Sequence, residues 1–134
     1  VFMAAGNVGE GFTLRREDAA AKDRWAIVKI LVMPQEEELA HCMRLYPSCN
    51  RAELDRALTI VNQVRTARRD TKMRLSKTVS TRGAEALAMF LNSGFPIEVA
   101  METAVVNQYS GSFDDPNSEA GRVYKLVMDA LSKK

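Results

Sequence analysis

A chain of 134 residues, 46% of them apolar and 27% charged, is long enough for one domain with a buried core and short for two. A formal charge of +2 excludes the global field that marks nucleic-acid or membrane-surface binders, so any basic character has to be local. No apolar run is long enough to span a bilayer and the opening residues lack a signal-peptide pattern, so Cys42 and Cys49 are expected to be reduced thiols in a cytoplasmic protein.

Val1-Phe2-Met3-Ala4-Ala5 is a continuous apolar run that suits a strand buried on both faces. It opens at Val1 without an initiator Met, so a piece of a longer chain is expected. Gly6, Gly9 and Gly11 follow as a loop. A Walker A loop needs GxxxxGK[ST], and Phe12-Thr13 stand where the Lys and hydroxyl residue would be required, which excludes it here. Arg16 to Asp23 is Ala-rich and charged and reads as a short helical connection. Ala26 to Val32 is β-branched and apolar except for Lys29, so it reads as a second strand, parallel to the first if the two share a sheet.

From Pro34 onward the pattern is helical. Pro34 suits a first-turn position, and Glu36, Glu37 and Glu38 place negative charge at the positive pole of the helix that ends at Tyr46-Pro47. Asn50 is the expected N-cap of the longest helix, with Glu53 completing an approximate capping box and Leu54, Ala57, Leu58, Val61 and Val64 forming its inward face. Its basic end, with Arg65, Arg68, Arg69 and Lys72 at helical spacing, predicts one cationic face: a solvated surface, or a contact for an acidic protein or RNA. Ser80 or Thr81 caps the next helix, with Ala84, Leu87, Ala88 and Leu91 inward and Gly94 as its stop. Pro96 opens a helix with Ile97, Ala100, Met101, Ala104 and Val105 inward. Asp115-Pro116 is expected to start the last, with Val123, Val127, Ala130 and Leu131 inward.

A self-contained catalytic constellation is hard to assemble. His41 is the single histidine, and His41, Cys42 and Cys49 provide neither a CxxC pair nor a fourth ligand for zinc; a Cys-His nucleophile pair would lack an orienting acid. No metal site is expected. Three other polar positions make chemical sense together. Asn7 ends a buried strand, where its amide can orient a water or reach a terminal phosphate. Arg24 precedes a strand, where its guanidinium can reach a developing phosphate charge on a neighbouring subunit. Arg82 lies in a first helical turn, where backbone N–H groups and a cation both face an anion.

Ala4-Ala5-Gly6-Asn7 resembles the sensor 1 strand of the MoxR-type AAA+ ATPases, including their cobaltochelatase small-subunit and nitric-oxide-reductase-activating members. Ala19-Ala20-Ala21-Lys22-Asp23-Arg24-Trp25 resembles their segment ending in Asp-Arg-Phe/Trp, and Ser80-Thr81-Arg82 before an apolar helix resembles their sensor 2 motif. The resemblance implies Asn7 as sensor 1 and Arg24 as an arginine finger acting in trans, both catalytic, and Arg82 as the sensor 2 contact to nucleotide. Val8 stands where the family often has Pro, and Arg16-Glu17-Asp18-Ala19 stands in place of a Leu-Pro-Glu-Ala stretch.

The expected fold is mainly α. Residues 1–33 form a short two-strand β-α-β piece of an AAA+ core, and residues 34–134 form a helical lid of four to five helices. The implied function is the C-terminal part of an ATPase that couples ATP binding and hydrolysis, with Mg, to remodelling of a partner protein in a homo-oligomeric ring, often a hexamer. Walker A and Walker B are not among these residues, so this chain is not expected to hydrolyse ATP alone. Neither a membrane nor, on this reading, a nucleic acid is an expected partner. The alternative is a stand-alone helical module binding an acidic protein or RNA through the basic face 65–77.

Overall fold

The computed structural model describes residues 32–133, which fall within one compact unit. The two expected strands, the loop carrying Asn7 and the segment carrying Arg24 lie outside the described residues; Val32, the last residue of the second run, is not in a strand. Five α-helices follow: α1 (Gln35–Leu45), α2 (Arg51–Ala67), α3 (Thr81–Asn92), α4 (Ile97–Ala104) and α5 (Glu119–Ser132), with one 3-10 turn at Val106–Gln108. Among the described residues there is no strand, and no helix is long and apolar enough to cross a membrane.

The longest helix, α2, organises the bundle and touches each of the other four. Leu54, Ala57, Leu58, Val61 and Val64 recur at helical spacing and are all fully buried, so removal of this stripe from water drives the packing. The sequence locates α2's start correctly, since the Asn50 side chain accepts hydrogen bonds from the backbone N–H groups of Ala52 (3.0 Å) and Glu53 (3.3 Å). The inward stripes expected for the next two helices are also those observed: Ala84, Leu87, Ala88 and Leu91 from α3 meet Ile97, Ala100, Met101 and Ala104 from α4 in one core.

Gly94 ends α3 as its position suggests. At φ +81° it adopts the left-handed conformation that closes a helix at low cost, its N–H bonding to Leu91 O (3.0 Å) and the Phe95 N–H to Phe90 O (3.2 Å). The Phe90 and Phe95 rings then meet edge to face with centroids 5.6 Å apart, the apolar contact that accompanies this type of helix end.

Four boundaries differ from those expected. Pro34 and Pro96 occupy the capping position one residue before α1 and α4, their carbonyls accepting the first helical bonds from Glu38 and Ala100 (2.9 Å each). The final helix begins at Glu119, three residues beyond Pro116, because Asp115 is used in a turn: its carboxylate accepts from Asn117 N (2.9 Å) and its carbonyl from Ser118 N (3.0 Å). Ser118 is the actual cap, accepting from Gly121 N at 2.8 Å. Finally, α2 stops at Ala67 and short turns take over, with the Asp70 carboxylate accepting from Lys72 N (2.8 Å). Arg65, Arg68, Arg69 and Lys72 therefore do not form one helical face.

Candidate functional site

The N-terminus of α3 differs from those of the other helices in charge. The first turns of α1, α2, α4 and α5 each contain a glutamate, which offsets the positive pole of the helix; that of α3 contains none and carries Arg82 instead. Ser80 holds the capping position without a side-chain cap bond. Its carbonyl accepts from the N–H groups of Gly83 (3.0 Å) and Ala84 (3.3 Å), and the N–H groups of Thr81 and Arg82 find no acceptor among the described residues. The Arg82 side chain is exposed and makes no hydrogen bond or ion pair among the described residues. Two unpaired backbone donors, a helix pole and a free guanidinium in one turn make a surface suited to an anion.

This turn is held in place from below. Val79, three residues before Arg82, is fully buried, and its carbonyl accepts a 2.9 Å hydrogen bond from Arg65 Nε of α2. Arg65 in turn grips Glu38 of α1 with both terminal nitrogens, Nη1 to Oε2 at 2.7 Å and Nη2 to Oε1 at 2.9 Å. Glu38 is fully buried and the Arg65 side chain is 8% exposed, so this is an interior ion pair. Further donors around the pair are satisfied as well: Arg65 Nη1 reaches Asn62 Oδ1 (2.8 Å), Asn62 Nδ2 donates to Gln35 Oε1, and Gln35 Nε2 donates to Asp55 Oδ1 and Thr59 Oγ1, each at 2.9 Å. An ion pair removed from water is tolerable only with such extensive pairing.

A second strut joins α1 to α3. His41 Nε2 lies 2.7 Å from Glu85 Oε1, and Arg44 Nη2 lies 3.2 Å from His41 Nδ1. A guanidinium can only donate, so Nδ1 is the acceptor and Nε2 carries the proton given to Glu85. His41 is therefore a structural link, and Cys42 points into the core beside it. Burial, reinforced by the charges of Glu38 and Glu85, pushes the Cys42 thiol up to about 11; burial also raises that of Cys49. Both thiols are free and buried. No group of three or more His, Cys, Asp or Glu side chains among the described residues is placed to hold a metal ion.

The loop before α3 is tied to α5. Glu119 accepts from the backbone N–H of Ser76 (2.6 Å) and from its hydroxyl (3.0 Å), and Arg122 Nε donates to Met73 O (2.9 Å). Desolvation pushes the Glu119 carboxyl up, but the bonds from Ser76, a backbone bond at Ser110 and the nearby Arg122 charge outweigh it and hold the group below its ordinary value.

Of the three site residues expected from sequence, only Arg82 can be placed; Asn7 and Arg24 lie outside the described residues. Two open hollows, of about 920 and 560 Å³, lie elsewhere on the domain, and Arg82 lines neither. The family model for the CbbQ/NirQ/NorQ C-terminal domain matches residues 49–124, more than half of the chain, and spans α2, α3 and α4 with Arg82 among them. The chain belongs to this family. Its domain is the lid region of MoxR-type AAA+ ATPases, so the resemblance carried by the sensor-like motifs holds at the level of the family. No curated protein and no solved structure matches the chain. The CbbQ/NirQ/NorQ match begins at Cys49, leaving outside it α1, which contributes Glu38 and His41 to the supports beneath Arg82. Both supports escape a reading of the sequence because their partners are 27 and 44 residues apart. The available local signal was that Glu38 lies one helical turn before Cys42, on a stripe facing the core.

Proposed function

We propose that this chain is the C-terminal, lid-bearing part of a MoxR-type ring ATPase that couples ATP binding and hydrolysis to remodelling of a partner protein, with Arg82 as the lid's contact to nucleotide. The observation that carries this reading is the first turn of α3, without a side-chain cap, free of acidic residues and bearing an arginine that has no partner among the described residues, within the span matched to the family. Those groups fit one edge of a bound polyphosphate. They supply no magnesium ligand and no attacking water, which accords with the absence of Walker A and Walker B from the 134 residues. When bound, ATP supplies the phosphoryl group whose charge Arg82 is placed to meet. Asn7 as water-orienting residue, Arg24 as a finger toward a neighbouring subunit, and a hexameric homo-oligomer belong to the same proposal through the family resemblance.

The alternative reading, a module binding an acidic protein or RNA through residues 65–77, loses Arg65, which is buried against Glu38, and loses its single helical face, since the helix ends before Arg68. In the complete ATPase, this chain joined to its P-loop segment, Arg82→Ala should lower ATP turnover by roughly 10²-fold, with Arg82→Lys partly restoring it. Steady-state hydrolysis and titration with a fluorescent ATP analogue measure the two effects. Unchanged turnover together with unchanged nucleotide affinity would remove Arg82 from this role.

A further inference from the structure

Arg82 sits at the exit of an irregular segment, residues 68–80, which contains no helix or strand to aim it. Its direction depends on how the start of α3 is seated. Val79 supplies the seat, with its side chain fully buried and its carbonyl held by Arg65 Nε. Arg65 cannot turn freely to hold that carbonyl, because both of its terminal nitrogens are fixed by the two oxygens of Glu38. A planar guanidinium fixed along one edge has its Nε direction determined, a constraint that an ammonium cannot reproduce.

We infer that Glu38 and Arg65 are positioning residues for Arg82: the buried pair sets the place and direction of the α3 N-terminus, and through it the nucleotide contact of the lid. The inference rests on the proposed role of Arg82 and extends it to α1, which lies outside the family match. It gives a reason for a charged pair in the interior of the domain. Replacing such pairs by apolar residues of similar volume is often neutral or stabilising, so stability alone gives no reason for this one. Its geometry does, because the Nε–H of the guanidinium is spent on a main-chain carbonyl three residues from an exposed arginine.

The test uses the double variant Glu38→Met/Arg65→Met, which removes both charges together, and Arg65→Lys, which keeps a cation beside Glu38 but loses the bond to Val79 O. In the complete ATPase, each is combined with wild-type Arg82 and with Arg82→Ala. With Arg82 present, turnover should fall ~10- to 100-fold, as for displacement of a catalytic contact by about 1 Å. With Arg82→Ala, the same changes should cost less than about twofold, since residues acting as a unit are non-additive. Equal losses on both backgrounds, or none on the first, would overturn the inference. If Arg82→Ala alone has no effect, the reading of Arg82 itself fails, a separate outcome that takes the positioning role with it. In the 134-residue chain, amide hydrogen exchange gives a readout independent of hydrolysis. Arg65→Lys should accelerate exchange at Gly83 and Ala84, whose N–H groups bond Ser80 O, while α4 and α5 keep their protection. Uniform acceleration throughout the domain would show the pair to be merely structural, and unchanged exchange at Gly83 and Ala84 would show that it does not seat the helix.

Discussion

Gly83 and Gly121 allow the close packing around α3 and α5 to be measured, because each is the third residue of its helix and each can be changed to alanine. Alanine gains up to ~1 kcal/mol of intrinsic helix propensity over glycine, and that gain is nearly common to both sites. The surroundings differ. A Cβ at Gly121 would overlap the Asp115 carbonyl oxygen and stand 2.6 Å from its carbonyl carbon and 3.2 Å from Pro116 Cα, all main-chain atoms of a hydrogen-bonded turn. At Gly83 it would meet Gln108 Nε2 and Val79 Cγ1, each at 2.8 Å; the glutamine amide is the far end of a flexible side chain, whereas Val79 is buried and stiff, so the contact is with side chains only but is not free of cost. Overpacking against fixed atoms costs ~1–3 kcal/mol, so Gly121→Ala should be net destabilised by about 1–2 kcal/mol, while Gly83→Ala should stay within about 1 kcal/mol of wild type. For a domain of this size each kcal/mol corresponds to roughly 4–8 °C in Tm. Thermal and urea unfolding followed by far-UV circular dichroism would measure both variants. A Gly121→Ala protein as stable as Gly83→Ala would refute the close approach of the Asp115-Pro116 turn to α5.

Two further outcomes follow from titratable groups. The folded pKa of Glu119 lies below its ordinary 4.5, so its contribution to stability is complete above that value and is lost as pH falls through the lower folded value. Glu119→Gln should therefore melt below wild type at neutral pH, with the gap closing in acid; a gap that widens in acid would reverse the assignment. The Cys42 thiol, buried and raised to about 11, should resist thiol reagents at mildly alkaline pH in the native protein and react fully in denaturant, whereas rapid native labelling would contradict its burial.

Local signals made most of the helical domain legible. Period and capping identify α2, α3 and α4 because the information lies within each segment: Asn50 bonds its own first turn, Gly94 needs only its own φ, and the buried stripes repeat every three or four residues. The boundaries that shifted were decided by competing local bonds. Asp115 and Asp70 each accept from a backbone N–H two residues onward, which favours a turn over continued helix, and Pro116 fits that turn as well as it would a first helical turn. What could not be read was pairing across the fold. Arg65 follows the core residue Val64 and, at helical spacing, is as consistent with a surface row as with the interior; only the arrival of Glu38 from α1 settles it.

The arginines of the domain differ in partner: Arg51, Arg68, Arg69 and Arg74, like Arg82, are exposed with no side-chain partner among the described residues, and what distinguishes Arg82 is its place in the first turn of α3. Arg65 and Arg122 are committed to internal acceptors, the Glu38 carboxylate and Val79 carbonyl for one and the Met73 carbonyl for the other. Arg82 has no such partner among the described residues, although Glu85 lies one helical turn along the same helix. That carboxylate is engaged by His41, which in turn accepts from Arg44. The same link that fastens α1 to α3 therefore holds Glu85 Oε1 on His41, and no Arg82–Glu85 ion pair forms among the described residues. On the proposed role of Arg82, that one bond would serve both the fold and the contact, and α1, although it lies before the matched family span, would belong with the working part of the lid.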